Sequence, residues 1–150
     1  MLCWGISLKV RAYQTEDLDE LLALWRECGL VAPQNNPIKD IERKLKVDPD
    51  LFLVGVLEER LVASVMGGYE GHRGWVNYLA VNPSVQGRGY GREIMSTIEQ
   101  QISNKGCPKI NLQVRSSNAS VIAFYQSLGY IDDNVVGMGK RLQSDLEQSA

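Results

Sequence analysis

The sequence predicts one α/β domain, a mixed central sheet with helices on both faces. Two observations carry this. Helical apolar stripes and short apolar runs follow one another in the order β-α-α-β-β-β-α-β-α-β-β. The 150 residues suit one domain and leave little room for a second. No internal repeat or low-complexity stretch interrupts the pattern.

Leu8 to Arg11 reads as a first short strand. Thr15 can cap the helix that follows, with Glu16 and Asp17 in its first turn, where acidic side chains favour the positive end of the helix dipole. Leu18, Leu21, Leu22 and Trp25 form one apolar stripe, and Gly29 stops it. Asn36-Pro37 reads as an N-cap with proline at the first helical position, and Ile38, Ile41 and Leu45 supply a second, shorter face. After the turn Asp48-Pro49-Asp50, Leu51 to Leu57 is apolar enough for a central strand, and Leu61 to Gly68 and Trp75 to Val81 follow as strands. Ile94, Met95, Ile98 and Ile102 mark a third helix, Lys109 to Val114 a strand, and Asn118 to Leu128 a fourth helix carrying Val121, Ile122, Phe124, Tyr125 and Leu128. Two short strands, around Tyr130 and from Gly137 to Leu142, are expected to finish the sheet.

Composition narrows the function. The formal charge of −2 offers no electrostatic case for nucleic acid. Cys3, Cys28 and Cys107 are odd in number, widely spaced and free of any C-x-x-C pair, the pattern of reduced thiols in a cytoplasmic protein. A single histidine, His72, argues against a His-based metal site, so no metal is expected. Met1 to Ser7 is too short and uncharged for a signal peptide, and no apolar run approaches the ~20 residues that span a bilayer, so no membrane partner is expected. The polar tail from Gln143 to Ala150 is expected to fray.

The chemistry concentrates in Gly87-Arg88-Gly89-Tyr90-Gly91, between the third of those strands and the third helix. Glycines let the backbone approach a ligand, their N–H groups converge, and a helix N-terminus adds positive potential. Arg88 and Arg92 add charge, so the fitting ligand bears phosphate. A P-loop would need G-K-[ST], which is missing. A dinucleotide loop would need a third glycine where Arg92 stands and an acidic residue about 20 positions on, and Cys107 to Asn111 contains none.

The longer string Leu79-Ala80-Val81-Asn82-Pro83, then Gln86-Gly87-Arg88-Gly89-Tyr90-Gly91-Arg92, resembles the acyl-CoA motif [QR]-x-x-G-x-[GA] of the GNAT superfamily of N-acyltransferases. Asn118, Phe124-Tyr125 and Leu128-Gly129-Tyr130 resemble its second block, N-x(5)-[LF]-Y-x-x-x-G-[FY], in register downstream. Gly67 to Gly74 and Asp40-Ile41-Glu42-Arg43-Lys44 further resemble the small bacterial YpeA-type members. The resemblance covers roughly residues 8 to 142. It implies an α+β fold with a mostly antiparallel sheet of six or seven strands, splayed between strands 4 and 5. It also implies acetyl-CoA as co-substrate and a small-molecule or peptide amine as acceptor; homodimers are common among relatives, while the sequence itself leaves the oligomeric state open.

The same resemblance implies roles for residues. Backbone groups of Leu79, Ala80 and Val81 would pair with pantetheine, and Gln86, Gly87, Arg88, Gly89, Tyr90, Gly91 and Arg92 would hold the pyrophosphate. Asn118 would contact the pantetheine arm, although an asparagine there also reads as a plain helix cap. Tyr125 would be the general acid, a phenol protonating the departing thiolate; taken without the motif it reads as a core tyrosine. The base is open. Where ribosomal-protein N-terminal acetyltransferases read L-E-V-R-x-x-N with a catalytic Glu, this chain has Gln113, which takes no proton. Glu70 and His72, in a glycine-flanked turn, are the next candidates, and deprotonation through water is a third route. The rival of a different class is a non-catalytic acyl-CoA-binding sensor or interaction domain, which an intact Tyr125 opposes and the missing Glu favours. A nucleotide-binding α/β protein is disfavoured by the failed loop spacings.

Overall fold

The computed structural model describes residues 7–146. Strands β1 (Lys9–Ala12), β2 (Phe52–Leu57), β3 (Arg60–Tyr69), β4 (Gly74–Val81) and β5 (Ile110–Asn111) form one sheet in sequence order. The first four pair antiparallel, and β5 joins parallel to β4. Helices α1 (Leu18–Glu27), α2 (Pro37–Lys44), α3 (Tyr90–Asn104) and α4 (Ala119–Ser127) complete the fold.

The central strands are buried on both faces because helices cover both. On one face Leu21, Leu24 and Trp25 of α1 and Ile41 of α2 pack on Phe52, Val54 and Ala80. On the other, Ile94, Met95, Ile98 and Ile102 of α3 pack on Leu53, Val62, Val65 and Val76, with α4 residues partly buried against them. Each such side chain, removed from water, contributes about 1.5–3 kcal/mol. Gly67 sets how closely α3 approaches: a Cβ there would lie 2.7 Å from Ile98.

A bulge bends β4. Ser64 pairs with Ala80 and Met66 with Asn77, so Tyr78 and Leu79 both stand opposite Val65. Tyr78 takes the left-handed conformation at φ 53, rare for a bulky residue. The parallel ladder to β5 runs only through Gly74–Ile110 and Trp75–Asn111, ending before the bulge. The β4–β5 edge is therefore unpaired from Asn77 onward.

The structure corrects several expectations. Among the described residues the sheet has five strands, not six or seven. Lys109 to Val114 contributes only Ile110–Asn111, since the bulge carries β4 away. Neither the strand around Tyr130 nor Gly137 to Leu142 forms. Asn134 donates its N–H to Asp132 Oδ1 at 2.7 Å with φ 55, turning the chain, and Val136 and Met138 stay 85% and 90% exposed, with no face to bury them. The first helical turn is a 3-10 turn capped by Gln14 rather than Thr15, because Asp17 accepts from Gln14 N–H and pairs with Arg11. Of the second helical face only Ile41 is buried, and no residue of α4 is. The tail does not simply fray: Asp145 is buried and pairs with Arg43 at 2.7 Å. Residues 147–150 and Cys3 lie outside the described residues; Cys28 and Cys107 are half-buried and free. No helix among the described residues is long and apolar enough to cross a membrane.

Candidate functional site

Three segments converge at the C-terminal end of β4. A Cβ built on Gly91 would meet Phe124 of α4 at 3.1 Å and Val81 of β4 at 3.6 Å. Gly91 is thus a packing glycine that lets α3, α4 and the strand end touch.

Gly87 and Gly89 do something different. Both have positive φ, 79 and 88, and nothing lies within 4 Å of where their Cβ atoms would be. Gly89 is the N-cap of α3 and has no side chain to satisfy the helix's first N–H groups, so the 15-residue helix opens on an exposed glycine turn. Such a helix start offers uncapped backbone donors and a positive dipole end, an arrangement that can hold an anion. Arg88 is exposed beside it, while Arg92 reaches Ser127 O at 3.3 Å and so ties α3 to the last turn of α4. Gln86 donates to Val81 O at 3.0 Å, and the Cys28 thiol donates to the same carbonyl at 3.3 Å. Ala80 is buried and paired to Ser64, while Leu79 lies half-buried at the bulge. Tyr90 begins α3 and packs on the core.

Asn118 caps α4, accepting from Val121 N–H at 3.3 Å. Tyr125, on the helix's inner face, meets Phe124 and Tyr130 edge-on with centroids 5.3 and 5.6 Å away. The ring is half-buried, and its hydroxyl has no hydrogen-bond partner among the described residues. Burial pushes the phenol up to about 12, so it holds its proton at neutral pH. Tyr130 is raised as well, by burial and by donating to Glu99 at 2.6 Å.

The base candidates lie elsewhere. Glu70 and His72 form the tip of the β3–β4 hairpin, both exposed. The Glu70 carboxylate accepts the backbone N–H groups of Arg73 and His72, which hold it below the usual carboxylate range. From Gly74 to Leu79 the strand runs roughly 16 Å at ~3.3 Å per residue, so this tip is remote from the glycine loop. Gln113 is exposed, and its amide would meet a Cβ at Gly137 at 3.1 Å. On the same face of the sheet as α1 and α2, Asn111 Oδ1 is buried with no partner among the described residues.

Sequence reading missed one constellation. Tyr78 stacks on Trp25 at 4.0 Å, donates to Asp40 Oδ2 at 2.6 Å and accepts from Asn35 Nδ2 at 3.0 Å. Burial, then the hydrogen bond to Asp40, raises its phenol well above the ordinary value. Asp40 stood inside a motif stretch, but it meets β4 only through the packing of α2 on the sheet.

Residues 12–130 match the family described as "Acetyltransferase (GNAT) family". The chain is 46% identical over 141 residues to "Acetyltransferase SG1711" of Sodalis glossinidius, covering 93% of this chain and 99% of that protein. It is 44% identical over 140 residues to an "Uncharacterized N-acetyltransferase" of Yersinia pestis, with 93% and 99% coverage. Among solved structures, the fold is similar to AAC(6')-Iy bound to a bisubstrate analogue, CoA-S-monomethyl-acetylneamine (TM-score 0.74, 17% identity, 90% of this chain and 99% of that one). It is also similar to the PaiA N-acetyltransferase of Thermoplasma acidophilum bound to coenzyme A (TM-score 0.69, 18% identity, 87% and 94%).

Proposed function

The chain belongs to the GNAT family and is an N-acetyltransferase, and we propose that it moves the acetyl group of acetyl-CoA onto a primary amine of a small molecule or peptide by direct attack in a ternary complex. The observation that carries this is the open glycine cradle at the start of α3, beside a β4 edge that β5 leaves unpaired. A pyrophosphate suits the cradle, because α3 opens there without a side-chain cap and nothing lies within 4 Å of where the Cβ atoms of Gly87 and Gly89 would be. An extended pantetheine fits the edge as an added strand would. The complexes of AAC(6')-Iy and PaiA with CoA or its analogue support the reading by analogy of fold.

In this reading the amides from Gly87 to Arg92 hold the pyrophosphate. Backbone groups of Leu79 and Val81 align the pantetheine, Leu79 foremost because the Val81 carbonyl already accepts from Gln86 and Cys28. Asn118 caps α4 and contacts the arm. Bound acetyl-CoA supplies an activated thioester carbonyl. Tyr125 donates its hydroxyl proton to the leaving sulfur. A phenol near 12 is a weaker acid than a free thiol of about 8.5. Burial raises the thiol in the same direction, so the transfer belongs to a desolvated site. The proton lost by the attacking ammonium leaves through water or through a carboxylate. Glu70 and His72 remain proposals that need the hairpin tip to serve a long acceptor.

The test is calorimetry with acetyl-CoA, followed by thiol release with a panel of amines, peptides and polyamines. Binding with turnover supports the enzyme. Binding without turnover on any amine supports the sensor reading instead.

A further inference from the structure

We infer that Tyr78 is a positioning residue: its hydrogen-bonded couple with Asp40 and Asn35 locks the β4 bulge to the α1–α2 loop, and so aligns the acceptor side with the thioester. This rests on the proposed acetyl transfer and adds to it the part of the chain that sets the geometry.

The argument starts from the backbone. A tyrosine at φ 53 sits in a region that is unfavourable for a bulky residue and persists only where surroundings over-determine it. Here they do. Trp25 stacks on the ring, and the Trp25 indole donates to Ser64 Oγ at 2.9 Å, which in turn donates to the Tyr78 carbonyl at 2.9 Å. The hydroxyl at the far end is fully engaged, donating to Asp40 of α2 and accepting from Asn35. Asn35 also folds its own loop, because its Oδ1 accepts from Ala32 N–H at 2.7 Å. Asp40 is steadied by Arg43 at 3.3 Å, and Arg43 is held by Asp145. One phenol thus joins three segments: the bulged strand, the loop from residue 30 to 36, and α2.

The consequence is mechanical. Leu79, next in the chain, is the second bulge residue and lies on the stretch of β4 beyond its ladder with β5. Its direction depends on Tyr78 keeping the left-handed conformation. Freeing the hydroxyl loosens the loop and the bulge together, although neither residue need touch the reacting atoms.

The test compares Tyr78→Phe, which keeps the stack, with Asp40→Ala and with Asp40→Asn, which still accepts from the phenol. In the unliganded proteins, amide hydrogen exchange should rise about tenfold at both residues 77–80 and 30–36 in Tyr78→Phe and Asp40→Ala, and elsewhere little. With acetyl-CoA, affinity by calorimetry should stay within about twofold, while thiol release to spermidine or water falls about tenfold. Asp40→Asn should recover most of both. Unchanged exchange at the two segments, or unchanged thiol release where acetyl-CoA binds, overturns the assignment. So does a loss of rate matched by a loss of affinity. Wild-type protein that binds no acetyl-CoA counts against the proposed function, and the exchange result then decides this inference alone. Should Tyr78→Phe fail to fold, Asp40→Ala carries the same readouts with β4 untouched.

Discussion

The two sides of the candidate site are built very differently. The glycine cradle stands on α3, whose Ile94, Met95, Ile98 and Ile102 are wholly buried against the sheet. Tyr125 stands on α4, which buries no residue completely, beside a two-residue β5 and a following segment whose Val135, Val136 and Met138 lie open. The half that carries the proposed cofactor cradle is therefore anchored in the core. The half that carries the proposed acid is held by partial burial and by a few ties, such as Arg92 to Ser127 and Gly91 against Phe124. Binding and chemistry should respond separately to mutation, because stability is distributed unevenly between them.

The largest effects should come from the rigid side. Ile98→Ala removes a buried side chain beneath β3 and should cost about 2–5 kcal/mol in chemical denaturation. Ile122→Ala, on half-exposed α4, should cost about 1 kcal/mol or less. Equal costs would erase the contrast.

Gly89→Val should abolish acetyl-CoA binding. The substituent would fill space that is empty in the structure, and a β-branched residue resists φ 88. Unchanged affinity by calorimetry in a folded variant would show that the cradle is not the phosphate site.

Tyr125→Phe should leave acetyl-CoA affinity nearly intact, since the ring still packs on Phe124 and Tyr130. Turnover should fall by about 10²-fold or more, the scale of general acid catalysis. Wild-type turnover with a substrate whose chemistry is rate-limiting would reduce Tyr125 to packing.

The smallest effects concern the base. With Gln113 in place of a carboxylate, the rate should climb with pH toward the acceptor's own pKa, about 8 for an α-amine and above 10 for a lysine. The sign follows from the neutral amine being the nucleophile. No descending limb from the acid is expected below its pKa of about 12, because Tyr125 keeps its proton until then. Gln113→Glu should raise the neutral-pH rate severalfold, and Glu70→Gln should change it little. The reverse pattern would move the base to the hairpin tip. A loss of rate in His72→Ala alone would assign it to the imidazole.

Much of this molecule was legible in the linear chain. Asn36-Pro37 does cap and open α2, its Oδ1 accepting from the N–H groups of Ile38 and Lys39, because capping depends on neighbours in sequence alone. The glycine cradle and the run from Ile94 to Ile102 also follow from local geometry and helical period. What tertiary structure decided are the long-range pairings. Lys109 to Val114 has strand composition, yet pairs over only two residues, because a bulge in β4 removes its neighbour. Val135, Val136 and Met138 have strand-like residues and no face to cover. Tyr78 meets Asp40 across 38 positions because strand, loop and helix pack together. Periodicity reports which residues want to be buried; only the folded sheet determines which edges find partners, and so where a phenol and a carboxylate meet.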